Sequence, residues 1–230
     1  MEDYEIVRRD FNEIALLPDP PAWTHNSCYF SYLLRALPER FDSCLEIGCG
    51  QGELCALLAQ RAGQVLGVDL AEQMVAAARR RHSLPNVEYR CGNILEMPFA
   101  DASFDVVVTA ATAHHLPFAW LLGFAARVLK PGGTLLILDL AEAETLSDRL
   151  LWGAAVLPNL LMNLMKNGKL REDPHSAAVW KRHGAHDRYL TVREVRRLAA
   201  RHLPGARVRR LLFWRYSLIW RKVDHFGIGS

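Results

Sequence analysis

The stretch SCLEIGCGQGELCALLAQRA, residues 43–62, decides the fold. Its apolar start, residues 43–48, predicts a short buried strand. Glycines at 48, 50 and 52 predict a sharp turn, and ELCALLAQRA, residues 53–62, predicts a helix. Glycine lets backbone turn tightly and approach a ligand closely, and loop amides ahead of a helix N-terminus favour a negative group. The spacing is G-x-G-x-G, with Glu53 standing where a dinucleotide-binding loop would place its third glycine.

Strands and helices alternate outward from that turn. QVLGVD (64–69) and NVEYRC (86–91) read as strands flanking a helix at 71–82. FDVVVTA (104–110) is a continuous apolar run suited to burial on both faces. A helix at 117–129 stops at Lys130-Pro131-Gly132-Gly133, and TLLILDL (134–140) is the fifth strand. Repeated βα units predict a doubly wound, mostly parallel sheet. Thr191 and Glu194 predict a capping box opening a helix at 191–202, and residues 207–223 predict an antiparallel hairpin turning near Phe213 to Arg215, without Asn-Gly. Upstream, 1–16 and 26–37 read as helices, the first ended by Pro18, Pro20 and Pro21.

The expectation is one α/β domain over 1–230: a helical cap at 1–40, a ligand-binding core at 43–140, an insertion or lid at 141–190, and a C-terminal helix and hairpin at 191–230. The insertion breaks the βα rhythm, which predicts that it covers the strands' carboxyl ends, where ligands of such sheets bind. Its apolar part, Leu150 to Met165, suits an apolar or aromatic molecule.

Half the residues are apolar and 23% are charged, the composition of a globular protein. No run of 18 apolar residues occurs, which argues against a membrane span. The polar start MEDYEIVRRDF is unlike a secretory signal. Five cysteines, none in C-x-x-C, read as reduced thiols, so a cytoplasmic location is expected. Net charge is +3: residues 1–165 carry 12 Lys/Arg and 20 Asp/Glu (−8), and residues 166–230 carry 16 and 5 (+11). The basic segment reads as a solvated face, with docking of an acidic partner as the alternative.

Five sites carry chemistry. Glu46 and the 48–52 loop come first. Asp69, ending the next strand, suits a ribose diol or caps the following helix. Asn93 follows the third strand. Thr109 and the pair His114-His115 follow the fourth. Lys130-Pro131-Gly132-Gly133 is a helix stop. His175, His183 and His186, with Asp173 and Asp187, show no metal-ligand spacing, and no metal is expected.

LEIGCGQGELCALLA, VLGVDLAEQMVAAARRR, CGNILEMPFADASFDVVVTAATAHHL and VLKPGGTLLILD stand in order over residues 43–140. Together they resemble the class I S-adenosylmethionine-dependent methyltransferases of the small-molecule, type 11 kind. The resemblance implies a seven-stranded Rossmann-like sheet with an antiparallel C-terminal hairpin. It implies S-adenosyl-L-methionine as cofactor and a small-molecule acceptor methylated at oxygen or nitrogen. By resemblance, Glu46, Gly48, Cys49, Gly50 and Gly52 face the cofactor's methionine part, Asp69 holds the ribose, Leu70 and Met74 flank the adenine, Asn93 and Ile94 meet its rim, and Thr109 lies under the methionine moiety. Asn93 departs from the aspartate common in the family; its amide both accepts and donates. His115, and after it His114, is the candidate base, and His25 and Tyr29 are candidate acceptor contacts.

Other classes are disfavoured. Thr109-Ala110-Ala111-Thr112 is not the Asn/Asp-Pro-Pro-aromatic of base amino-methyltransferases, and no tyrosine has Lys at +4 as short-chain dehydrogenases require. A methyltransferase for a peptide or RNA docked by the basic segment, and a non-catalytic partner protein with this fold, are the alternatives. No nucleic-acid-binding module is visible.

Overall fold

The computed structural model describes residues 2–17, 23–168 and 173–223. The three prolines expected to end the first helix lie outside these residues, as do 169–172 of the insertion and 224–230.

Seven strands form one sheet: β1 (Phe41–Ile47), β2 (Ala62–Asp69), β3 (Val87–Cys91), β4 (Phe104–Ala110), β5 (Leu129–Leu140), β6 (Arg207–Leu211) and β7 (Arg215–Arg221). Their order is β3-β2-β1-β4-β5-β7-β6. The first five run parallel, and β7 lies antiparallel between β5 and β6. This is the doubly wound sheet expected, with its antiparallel hairpin. The apolar run of β4 is buried on both faces. Val107 packs with Leu45, Ile47 and Ile137, while Val106 and Val108 pack with Cys44, Val65 and Leu136. Period-two alternation inside an all-apolar strand feeds two cores at once.

Nine helices lie among the described residues: α1 (Glu2–Ile14), α2 (Phe30–Arg35), α3 (Glu53–Leu58), α4 (Glu72–Arg81), α5 (Phe118–Val128), α6 (Leu146–Ala154), α7 (Val156–Asn167), α8 (Pro174–Gly184) and α9 (Val192–His202). The capping box at Thr191 and Glu194 is present, and a second one, Thr145 with Asp148, opens α6. None of these helices is long and apolar enough to cross a membrane.

Three expected boundaries move. The second helix begins as a 3-10 turn, Ser27–Tyr29, because the hydroxyls of Thr24 and Ser27 capture backbone amides there. The helix after the glycine loop ends at Leu58, and β2 starts at Ala62 opposite Phe41. The Lys130–Gly133 stop belongs to β5, because its backbone is paired: Gly132 N–H donates to Lys222 O, and Lys222 N–H donates to Gly133 O.

The basic C-terminal segment is spread out. Arg193, Arg196, Arg197 and Arg201 line the exposed side of α9, and Arg207 and Arg209 stand on edge strand β6. Arg215 is buried, and Lys222 Nζ donates to the carbonyls of Ala126 and Leu129, closing the end of α5.

The β6–β7 turn uses two aromatic residues where glycine is usual. Phe213 and Trp214 have φ of 54° and 58°. Left-handed backbone costs a side-chain-bearing residue roughly 1–2 kcal/mol. Aromatic packing holds the turn: Phe213 meets Trp23 edge-on at 5.4 Å and stacks on His25 at 5.5 Å, and Tyr29 Oη donates to Leu212 O at 2.9 Å.

Candidate active site

The carboxyl ends of β1, β2, β4 and β5 gather most of the singled-out residues. Gly48, Gly50 and Gly52 have φ of 72°, 51° and 89°, so the loop takes a path open to glycine. A Cβ on Gly48 would overlap the Thr112 side chain, and one on Gly52 would stand 2.7 Å from the Tyr89 hydroxyl. The loop is therefore tied to the segment after β4 and to β3. Cys49 is buried beside it.

Asp69 closes the loop. Its Oδ2 accepts from Gly50 N–H at 2.8 Å and its Oδ1 from Ala71 N–H at 2.9 Å. It does not cap α4, whose N-cap is Ala71. Burial raises its pKa, against the pull of those two amides. Each carboxylate oxygen keeps a second acceptor direction. Leu70 is half-buried and Met74 buried on the same side. Asn93 is bound within its own turn, with Oδ1 accepting from Leu95 N–H and Nδ2 donating to Glu96. Ile94 beneath it is buried.

Several buried polar atoms here lack a protein partner: Glu46 Oε2, Gln51 Oε1, Thr109 Oγ1 and His115 Nε2. Burial pushes Glu46 up to about 8, against a hydrogen bond from the Cys55 thiol. Orphaned buried acceptors cost about 1–3 kcal/mol each, and in a native fold they point to a ligand that satisfies them. Together with the glycine cradle, they fit a cofactor with an ammonium, a carboxylate and a ribose.

Beyond Thr109 the backbone is strained, with Ala111 at φ 56°. Then a 3-10 turn, Ala113–His115, presents both histidines. His114 Nδ1 lies 2.7 Å from Asp139 Oδ1, and its Nε2 is 3.8 Å from Asp187 Oδ2. His115 Nδ1 is 3.7 Å from Asp187 Oδ1, and burial beside His114 pushes its pKa down to about 3. Tyr189 Oη donates to Asp187 at 2.7 Å. His183, on α8, approaches Asp187 and also Asp10 of α1.

His25 and Tyr29 sit apart from that cluster, under the aromatic turn. His25 Nε2 is 2.7 Å from Asn159 Oδ1 of α7, and burial lowers its pKa. Trp23 N–H donates to Asn167 Oδ1, and Arg215 Nε donates to Asn26 Oδ1. These bonds fasten the segment before α2 to α7 and to the hairpin.

Spacing alone did not single out Asp10, Asp139 or the meeting of His183 and Asp187 with the His114-His115 pair. One signal was available: Asp139 is a lone charge inside TLLILDL and is 1% exposed, and a charge at that place in a buried strand demands a partner.

Residues 45–137 match the methyltransferase domain family. A probable S-adenosylmethionine-dependent methyltransferase of Mycolicibacterium smegmatis is 44% identical over 94 residues, which cover 40% of this chain and 36% of that protein. A fatty-acid O-methyltransferase of the same organism is 38% identical over 98 residues, covering 41% and 36%. The similarity thus spans little more than a third of each relative's length. The solved geranyl diphosphate C-methyltransferase of Streptomyces coelicolor shares the fold, with a TM-score of 0.65 at 15% identity over 96% of this chain and 98% of that one. Motifs, sheet order and family match agree over residues 45–137, which are similar to the methyltransferase domain family and to S-adenosylmethionine-dependent methyltransferases.

Proposed function

We propose that the protein methylates an oxygen of a small, apolar acceptor, using S-adenosyl-L-methionine. The observation that carries this reading is the set of unpartnered buried acceptors, Glu46, Gln51 and Thr109, around a glycine loop that leads to the His114–Asp139 pair. When bound, the cofactor supplies a sulfonium methyl as electrophile. Glu46 and the 48–52 loop would hold its methionine part, with Thr109 beneath. Asp69 would hold the ribose, and Leu70, Met74, Asn93 and Ile94 the adenine.

The chain's remaining task is to align the acceptor, exclude water and relieve it of its proton. Of the two histidines, His114 is the better placed. Asp139 fixes its ring through Nδ1 and leaves Nε2 free to act, whereas His115 is held uncharged with its Nε2 enclosed. The apolar helices α6 and α7 and the aromatic segment Trp23–Tyr29 would form the acceptor's walls. The similarity to a fatty-acid O-methyltransferase supports an oxygen on an apolar molecule.

The test is calorimetry with S-adenosylmethionine and S-adenosylhomocysteine, followed by an acceptor screen read as S-adenosylhomocysteine release. Binding of both ligands is expected. His114→Asn should lower turnover by about 10²–10⁴-fold at nearly unchanged cofactor affinity. Folded protein that gives no heat with either ligand defeats the reading.

A further inference from the structure

We propose that His114, His115 and Asp187, with His183 alongside, form a binding site for one divalent transition-metal ion, a site the sequence spacing gave no reason to expect. Asp187 stands at the centre. Its Oδ2 faces His114 Nε2 at 3.8 Å and His183 Nε2 at 3.7 Å, and its Oδ1 faces His115 Nδ1 at 3.7 Å. These separations are too long for hydrogen bonds. They are close to the spacing of neighbouring ligands on a tetrahedral ion, roughly 3.3–3.5 Å for bonds of about 2.0–2.1 Å. One donor atom each from His114, His115 and Asp187 fits within 4.8 Å of the others.

The surroundings repeat the pattern that metal-binding histidines show. The far nitrogen of His114, Nδ1, lies on buried Asp139 at 2.7 Å. The far nitrogen of His183, Nδ1, faces buried Asp10 at 3.5 Å. A carboxylate behind an imidazole fixes its ring and makes its other nitrogen the stronger ligand. The His114–Asp139 pair thus aims its Nε2 at Asp187, and His183 lies between Asp187 and Asp10.

Charge balance points the same way. The side chains of Asp10, Asp139 and Asp187 are buried; among the described residues the cations near them are Arg9, mostly exposed, and Arg215, and Asp187 also accepts from Tyr189 Oη. Buried carboxylates need compensation. Two imidazoles and one carboxylate select zinc, cobalt, nickel or iron(II) over magnesium or calcium.

The site itself does not depend on the proposed function; only its use does. There, an ion held beside the end of β4 would take the acceptor's oxygen as a further ligand and hold it as the oxyanion, its proton passing to water. His114 would then hold the ion through Nε2 instead of accepting the proton itself.

The test is titration of chelator-treated, folded protein with cobalt(II), read by visible absorption, with zinc as competitor. One equivalent is expected, with the intense bands of a four- or five-coordinate site, displaced by zinc, and with a rise in melting temperature. His115→Gln should weaken cobalt affinity at least 100-fold, and Asp139→Asn 10–100-fold. His175→Ala and His202→Ala, both on exposed positions, should change nothing. Folded protein that takes up no stoichiometric cobalt at micromolar concentrations overturns the proposal. So does cobalt binding that His115→Gln leaves intact. Calorimetry with S-adenosylhomocysteine on the same samples reports separately on the methyltransferase reading.

Discussion

The two ends of the central strands are built on opposite terms. At the amino end, Asp105 accepts from Ser43 N–H at 2.9 Å, from Ser43 Oγ at 2.8 Å and from Lys130 Nζ at 2.9 Å, and Lys222 closes α5. At the carboxyl end, Glu46, Gln51, Thr109 and His115 each bury an unpartnered atom, and Ala111, Phe213 and Trp214 hold left-handed backbone. Three of the four left-handed non-glycine residues, all but Ala102 before β4, and these unmet hydrogen bonds collect where a ligand can relieve them, and the opposite end holds the strands in register. Stability and chemistry are thus divided along the strand axis.

Three measurements can break that division, and Glu46 should give the largest effect. Its carboxyl is raised from an ordinary 4.5 to about 8. Below pH 4.5 it is neutral in folded and unfolded chains alike. Between 4.5 and 8 the unfolded chain ionises and the folded one does not, so its contribution to stability falls as pH rises, by roughly 1 kcal/mol per pH unit at the limit. Glu46→Gln should flatten this part of the urea-unfolding profile. An ammonium-bearing cofactor should ionise Glu46, so binding near pH 7 should release up to about one proton. Calorimetry in buffers of different ionisation enthalpy counts it, and no release would remove Glu46 from the cofactor's side.

Asp105→Ala comes next. Loss of three hydrogen bonds at the amino end should cost about 2 kcal/mol in urea unfolding. Affinity for S-adenosylhomocysteine should stay unchanged. A fall in affinity comparable to the fall in stability would show the two ends to be coupled.

The smallest effect belongs to Thr109→Val. Removing a buried, unpartnered hydroxyl should stabilise the ligand-free protein by about 1 kcal/mol and weaken cofactor binding several-fold. A variant less stable than the parent would mean that the hydroxyl is already satisfied.

What was legible in the sequence follows the same axis. FDVVVTA marked β4 at 104–110, where the structure places it, because an unbroken apolar run fits a strand covered on both faces. Glycine spacing marked the loop after β1, since only positive φ and close approach demand that residue there. The Asp187 cluster was not legible. Its members come from α1, the turn after β4, β5 and α8, and no spacing rule joins positions 10, 114, 139 and 183. Nor was the aromatic turn, because the packing that holds Phe213 comes from Trp23 and His25, nearly 190 residues earlier.

The placing of β7 bears on how the chain is made. It enters between β5 and β6, although β6 precedes it in sequence. As the polypeptide leaves the ribosome, β1 to β5 can assemble while β6 still lacks its neighbour. Until β7 arrives, β5 is an open edge carrying Leu135 to Leu138, all fully buried once the fold is complete. Such an edge is a template for pairing with another chain. The Trp23–Tyr29 segment, already synthesised, has no turn to pack against until the same moment. Completion of the last strand therefore shields the nascent protein and fixes the wall beside its site in one event.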